Sequence, residues 1–301
     1  MEDQKLHIGY FADGPWGHRA FNRIRQDESL AIDFVCVRYD KKDSVLMEMA
    51  KECNIDVLYT PNINSDDFLL QLKEYPSELY VSMSFNQIFK KEILNIPNKS
   101  VINCHAGKLP YYRGRNILNW ALINDEKEFG ITVHYVDAGI DTGDIILQDT
   151  YPITDQDTYR TLLERAYESC PDILYRAIKL IQNDQVQVIR QDDINPVGLY
   201  CGMRKENDEI LDWNQNSRDV FNFIRAVTIP GPCASSFIDG KRIKIISAEM
   251  VPGAPIYKGI PGQVLVKVEN GFIVKTRDSY IKVTEYEGKM KVKVGDRLTR
   301  C

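Results

Sequence analysis

The chain has 301 residues, 44% of them hydrophobic and 27% charged, with a formal net charge of −5. That length can bury a sizeable core and favours two domains over one, and the composition argues against disorder. The negative balance gives no whole-chain attraction to nucleic acid or an anionic membrane, and no apolar run reaches the roughly 18 residues of a membrane span.

In chain order, Leu6 to Phe11 reads as a buried strand, Gly14 to Gly17 as a turn into a helix carrying Phe21 and Ile24, and Ile32 to Val37 as the next strand. A helix over Val45 to Cys53 and a strand over Val57 to Tyr59 follow, then a helix capped at Ser65 to Asp67 that carries Phe68, Leu69 and Leu72. Strands over Leu79 to Met83 and Val101 to Cys104 complete a βαβα series, which implies a mostly parallel sheet with helices on both faces. Ile131 to Val136 and Ile145 to Gln148 read as further strands. A long helix is expected from near Thr154, with Asp157 in a capping-box relation, to about Gln182, broken or kinked at Pro171.

From Val186 to Trp213 the chain is polar and mixed, as a linker would be, and Ser217 to Val227 reads as a helix with Val220, Phe221 and Ile224 on one face. Short alternating strands then cover Arg242 to Ile246, Val264 to Val268, Phe272 to Thr276, Tyr280 to Thr284 and Met290 to Val294, a pattern that suggests a small barrel of the OB type. The expected fold class is therefore α/β: a Rossmann-like, mostly parallel sheet in an N-terminal domain (1–185), a linker (186–213) and a C-terminal OB-like β-barrel domain (214–301).

Seven cysteines are scattered without a Cys-x-x-Cys pair, which reads as reduced thiols rather than a disulfide framework. With no basic-then-apolar leader at the N-terminus, a cytoplasmic location is expected. The first βα turn, with Gly9, Gly14 and Gly17, lacks the dinucleotide-binding spacing. His7, His18 and His134 are too dispersed for a zinc site, so no metal is expected. His134 shares strand parity with Thr132, and a structural role is expected for it. Lys289, Lys291 and Lys293 read as the wet face of an edge strand rather than an RNA surface.

The chemistry concentrates in Asn103-Cys104-His105 and in Asp141 of Ile140-Asp141-Thr142-Gly143-Asp144. At a strand end, Asn103 and His105 face one way and Cys104 the other. An amide can hydrogen-bond a developing oxyanion, an imidazole can move a proton, and a carboxylate can hold the imidazole and favour its charged form. The plain alternatives are a satisfied structural histidine and an ordinary Asp-Gly turn. Arg113 and Arg115 at the start of the following helix suit an anion as well as they suit solvent.

The run Asn103-Cys104-His105-Ala106-Gly107-Lys108-Leu109-Pro110-Tyr111-Tyr112-Arg113-Gly114-Arg115, then Gly130 to His134 and Asp141 to Asp144, resembles the folate-dependent formyltransferase family. The likeness extends through Asp212-Trp213, Phe223 to Val227 and Pro230-Gly231-Pro232 to the small C-terminal domain of its longer members. It implies Asn103, His105 and Asp141 as the catalytic set and N10-formyltetrahydrofolate as co-substrate. Folate contacts would fall on Gln87, Ile88 and Phe89, on Arg115, and on the loop Asp137, Ala138, Gly139 and Ile140, largely through backbone groups.

Two branches share this layout, one acting on methionyl-tRNA and one on nucleotide-linked amino sugars such as UDP-4-amino-arabinose. The basic insertion of the tRNA branch is absent where Val37 to Ser44 passes directly into a helix, and Gly107-Lys108 replaces the common Ser-Leu of the family's Ser-Leu-Leu-Pro. Both departures favour a UDP- or dTDP-linked amino sugar as the partner, with a product for lipopolysaccharide or another glycan. Lys108 and Arg204 are candidates for the sugar diphosphate, and Trp16 either stacks on the base or packs at its helix start. The rival readings are methionyl-tRNA formylation, hydrolysis of the formyl-folate, and a non-catalytic folate or nucleotide binder. A homodimer through the C-terminal barrel is a further expectation.

Overall fold

The computed structural model describes residues 5–301; residues 1–4, within the stretch expected to hold no leader, lie outside it. The first half of the chain runs β1 (Leu6–Ala12), α1 (Gly14–Arg25), β2 (Leu30–Cys36), α2 (Ser44–Glu52), β3 (Asp56–Leu58), α3 (Asp66–Leu72), β4 (Leu79–Met83), α4 (Lys91–Leu94) and β5 (Val101–His105). Then come the two-residue strand β6 (Arg113–Gly114), α5 (Ile117–Ile123), β7 (Glu128–Tyr135), β8 (Ile145–Pro152), α6 (Tyr159–Gln182), α7 (Gln191–Ile194) and β9 (Tyr200–Cys201). Seven of these strands form one sheet in the order β3-β2-β1-β4-β5-β7-β8.

β1 pairs in parallel with both β2 and β4, and β4 with β5, whereas β7 runs antiparallel to β5. The sheet is thus the mostly parallel, Rossmann-like one expected. β1 sits where the strand order reverses, and in such sheets ligands bind beyond the carboxyl ends near that reversal. Phe11, Phe34, Tyr80 and Phe89 pack with Leu72 and Ile93 in a core cluster, which anchors β1, β2 and β4.

The chain clusters into two compact units, each assembled from more than one stretch of sequence. The first takes the chain up to Gly114 with Gly130–Tyr151 and Arg165–Tyr200; the second takes Arg115–Phe129, Pro152–Glu164 and Cys201–Cys301. The second unit adds α8 (Ser217–Val227), β10 (Ala234–Ile238), β11 (Lys241–Met250), β12 (Val264–Val268), β13 (Gly271–Lys275) and β14 (Tyr280–Glu287). These strands form an antiparallel sheet ordered β10-β11-β14-β13-β12. The final segment bridges Phe237 at Thr299 and Gln263 at Arg297, so it lies between the two edges and closes the small barrel.

Three expectations about local structure change. α6 begins at Tyr159, not Thr154, because the Asp157 carboxylate accepts from Thr154 N (2.8 Å) and from Thr161 Oγ1 (2.9 Å), which closes a turn ahead of the helix. Pro171 lies inside α6 without ending it; buried Ile173, Leu174, Ala177 and Ile178 continue the apolar face past the missing N–H. No strand forms over Met290 to Val294, where Lys293 and Asp296 make a turn (Lys293 N to Asp296 Oδ2, 2.7 Å). The fifth strand is β10, whose serines hide it from a hydrophobic pattern. Ser235 and Ser236 are fully buried; Ser236 Oγ accepts from Trp213 Nε1 (3.0 Å) and donates to Thr299 O (2.7 Å).

Within the second unit, Asn119 Nδ2 donates to Ala226 O (2.6 Å), and buried Arg225 donates Nη1 to Thr154 O (2.6 Å) and Asp157 O (3.1 Å) and Nε to Asn222 Oδ1 (3.0 Å). Arg225→Met strands these acceptors. Each buried group left unpaired costs about 1–3 kcal/mol, so the urea midpoint is expected to fall with little change in slope.

Candidate active site

β5 delivers the central pair. Its parity sends Asn103 and His105 to one side and Cys104 to the other, where Cys104 Sγ lies 3.8 Å from Cys170 O in the buried layer beneath α6. The antiparallel register of β7 sets His134 directly opposite Asn103 and Thr132 opposite His105. Directly opposed residues share a face, and Asn103 Nδ2 lies 3.3 Å from His134 Nε2.

The carboxylate comes from the loop between β7 and β8. Asp141 Oδ2 lies 3.7 Å from His105 Nδ1, an ion-pair distance rather than a hydrogen bond, and Oδ1 lies 3.5 Å from His134 Nε2. Gly114 N donates to Oδ2 at 2.8 Å. Burial alone would raise the Asp141 pKa, but the charges that His105 and His134 carry when protonated, with the Gly114 N–H, outweigh it and hold the carboxyl well below its usual range. The group therefore stays ionised although mostly removed from water.

The backbone assigns the protons. His105 Nε2 meets Tyr112 O at 2.7 Å, and a carbonyl only accepts, so Nε2 carries hydrogen and Nδ1 is the atom that gains and releases a proton beside Asp141. His134 Nδ1 likewise donates to Tyr135 O (2.7 Å), so Nε2 lies between Asn103 Nδ2 and Asp141 Oδ1 as the atom that changes state: in the neutral ring it accepts from Asn103, and in the protonated ring it faces the carboxylate. One Asn103 N–H is thereby held and the other can point outward. His134, expected to be structural, thus stands beside both Asn103 and Asp141. The signal for it was its place in Gly130 to His134, but only the β5–β7 register reveals what it faces.

The turn after β5 is built around a missing side chain. Thr132 Oγ1 donates to Gly107 O (2.7 Å) and accepts from Gln148 Nε2 (2.8 Å), which also donates to Leu109 O (2.9 Å). A Cβ on Gly107 would lie 2.4 Å from His105 Nε2 and 2.6 Å from Tyr112 O. The glycine that replaces the family's common serine therefore gives His105 the space to reach Tyr112.

The remaining sequence-derived candidates are distributed more widely. Gln87 has its amide engaged with Thr60 O (2.9 Å) and Ile63 N (3.0 Å), Ile88 is exposed, and the Phe89 ring is buried edge-on against Phe11. A ligand at this segment can meet the Ile88 side chain and backbone groups, but not the Phe89 ring. Neighbouring Asn86 donates to Asp40 Oδ1 (3.1 Å) and leaves its buried Oδ1 without a partner. Asp137, Ala138, Gly139 and Ile140 form an exposed loop tied by Asp137 Oδ1 to Gly139 N (3.0 Å) and Thr142 Oγ1 (2.6 Å).

Lys108 follows Gly107 in the turn beside Gly130. The Trp16 ring packs edge-on against Tyr167 at 4.6 Å, in keeping with helix-start packing. Arg115, exposed, and Arg204 both belong to the second unit; the Arg204 guanidinium donates to Asp208 O (2.7 Å) and lies 5.3 Å from the Phe223 ring centre. Among the described residues no group of three or more His, Cys, Asp or Glu could hold a metal ion, and no helix is long and apolar enough to cross a membrane.

A mostly parallel α/β sheet with an amide and two imidazoles around one buried carboxylate at a strand end, followed by a small antiparallel barrel, defines a class of two-part group-transfer proteins. The chain belongs to the formyl transferase family: residues 15–178 match the formyl transferase model and residues 204–300 that of the formyl transferase C-terminal domain. The methionyl-tRNA formyltransferase of Thermodesulfovibrio yellowstonii is 33% identical over 238 residues, 79% of this chain and 74% of that one. That of Pelotomaculum thermopropionicum is 34% identical over 255 residues, 83% and 79% of the two chains. Among solved structures, the sugar 3N-formyl transferase WlaRD, with dTDP and 5-N-formyl-THF, shares the fold at a TM-score of 0.70 and 23% identity over 95% of this chain and 100% of its own. The Helicobacter canadensis N-formyltransferase, in complex with folinic acid and dTDP-3-aminofucose, does so at 0.71 and 20% over 94% and 100%.

Gly107→Ala is expected to displace His105 or the turn. A misplacement of about 1 Å can cost roughly 100-fold in rate, so the variant should fold normally by circular dichroism while kcat for formyl transfer drops by that order.

Proposed function

We propose that the protein transfers a formyl group from N10-formyltetrahydrofolate to the primary amine of a nucleotide-linked amino sugar. N10-formyltetrahydrofolate supplies the formyl carbon when bound. The exposed Asp137–Ile140 loop, exposed Ile88 and the orphaned Asn86 carbonyl oxygen fit a flat heterocycle with a donor-bearing edge. In this reading the outward N–H of Asn103 donates to the formyl oxygen as negative charge grows there, His105 takes the proton from the amine at Nδ1 and delivers it to the folate nitrogen as the bond from that nitrogen to the formyl carbon breaks, and Asp141 stabilises the imidazolium in between. The set needs no covalent nucleophile, and Cys104 faces away from it.

The observation that carries the sugar acceptor is the short connection between β2 and α2, residues 37–43. It is tied to its own neighbours: Arg38 donates to Asp40 Oδ2 (2.6 Å), and Asp43 accepts from Leu46 N (3.1 Å), Gly14 N (2.7 Å) and His18 Nε2 (2.6 Å). It therefore carries no extended basic segment of the kind the resemblance associates with an acceptor stem. The identity with methionyl-tRNA formyltransferases supports a second reading, the same chemistry on an aminoacyl-tRNA.

The test supplies purified protein and N10-formyltetrahydrofolate with UDP- and dTDP-linked amino sugars and, separately, with methionyl-tRNA, and reads product mass. Formylated sugar is expected. Formylated methionyl-tRNA at higher kcat/KM, with the steep salt dependence of phosphate contacts, would establish the second reading instead. Asn103→Ala is expected to lose about 10²–10³ in kcat, the usual effect of removing an oxyanion donor. His105→Ala is also expected to be severely impaired; near-normal turnover in both would overturn the mechanism.

A further inference from the structure

Asp141 has φ of 53°, in the left-handed region. That conformation costs a non-glycine residue energy and persists when its surroundings hold it. Gly114 N holds the side chain. The backbone is held from the segment that the sequence presents as a linker.

Gln191, buried on α7, donates from Nε2 to Asp141 O (2.9 Å) and to Gly143 O (2.7 Å). Its Oε1 accepts from Arg113 Nε (3.0 Å) and Nη2 (2.7 Å). A guanidinium only donates, so Oε1 must face Arg113 and both amide hydrogens must face the Asp141 loop; the amide has no alternative orientation. Arg113, itself buried, is fixed by Val197 O (3.3 Å) and Tyr200 Oη (3.1 Å) through Nη1. The loop has little room to relax, because a Cβ on Gly143 would lie 1.9 Å from Tyr135 O.

We propose that Gln191, oriented by Arg113, is a positioning residue that sets Asp141 against His105 and His134. The inference rests on the role given to Asp141 in formyl transfer. Gln191 touches no reacting atom in this scheme. It acts by holding the backbone from which the carboxylate projects, so its loss should affect turnover more than binding.

The variants are Gln191→Met, which keeps length and loses every hydrogen bond, and Gln191→Glu, which keeps the acceptor for Arg113 and turns a carboxylate toward two carbonyls. Asp192→Ala, on the exposed side of α7, is the control. Both Gln191 variants are expected to lower kcat by about 10- to 100-fold, the scale on which outer partners of site residues act, with KM for both substrates changed less than about three-fold. Wild-type and Asp141→Asn protein run in parallel separate the two failures. A wild type that formylates no amine sinks the function. An active wild type and a dead Asp141→Asn, beside Gln191 variants with unchanged kcat, sink this inference alone. Loss of the folded state in both variants would also overturn it, by making the amide a determinant of the fold.

Discussion

An ionised carboxylate that is mostly shielded from water must be surrounded by donors, and much of the first unit near the end of β5 meets that requirement for Asp141. Two imidazoles, a backbone N–H from Gly114 and the hydrogen bonds on its own peptide all converge on it. The compensation is geometric as well as electrostatic, since each donor comes from a different stretch of chain. Remove the charge and there is little reason for these segments to meet at one point.

The sheet makes the convergence possible. β5 has a parallel neighbour, β4, on one side and the antiparallel β7 on the other. Antiparallel pairing opposes Asn103 and His134 directly, with their side chains on one face. β7 ends opposite Ile102, at the amino end of β5, so the loop that follows turns back for Asp141 to stand beside His134 and His105. A proton on His134 Nδ1, fixed by Tyr135 O, leaves the other ring nitrogen to orient the Asn103 amide. Strand topology thus reaches down to the choice of tautomer.

Much of this was legible in the residues. Strand parity placed Asn103 and His105 together because a period of two is independent of the rest of the fold, and the βα alternation gave the sheet its class. What could not be read was anything that depended on register or on partners distant in sequence. His134 looked structural because its neighbour across the sheet was unknown. Gln191 lay in a stretch that read as linker, since a buried amide looks the same in sequence as an exposed one. β10 was missed because its inward residues are serines, satisfied by Trp213 and Thr299, and the lysine alternation at 289–293 imitated a strand that the Lys293–Asp296 turn prevents. Gly107 was visible as a departure from the family pattern, but the space that departure leaves for His105 exists only in three dimensions.

The bridges at Thr299 and Arg297 bear on how the second unit assembles. β10 pairs with β11, and β12, β13 and β14 pair in succession, but β11 has to wait for β14, and β10 and β12 are left as bare edges until residues 297–299 arrive between them. Contacts of such long sequence separation form late, after a large loop entropy has been overcome. In the interval the half-built barrel presents two unpaired backbones to any neighbouring strand, and a growing or stressed population of this chain is most exposed to edge-to-edge association at that stage.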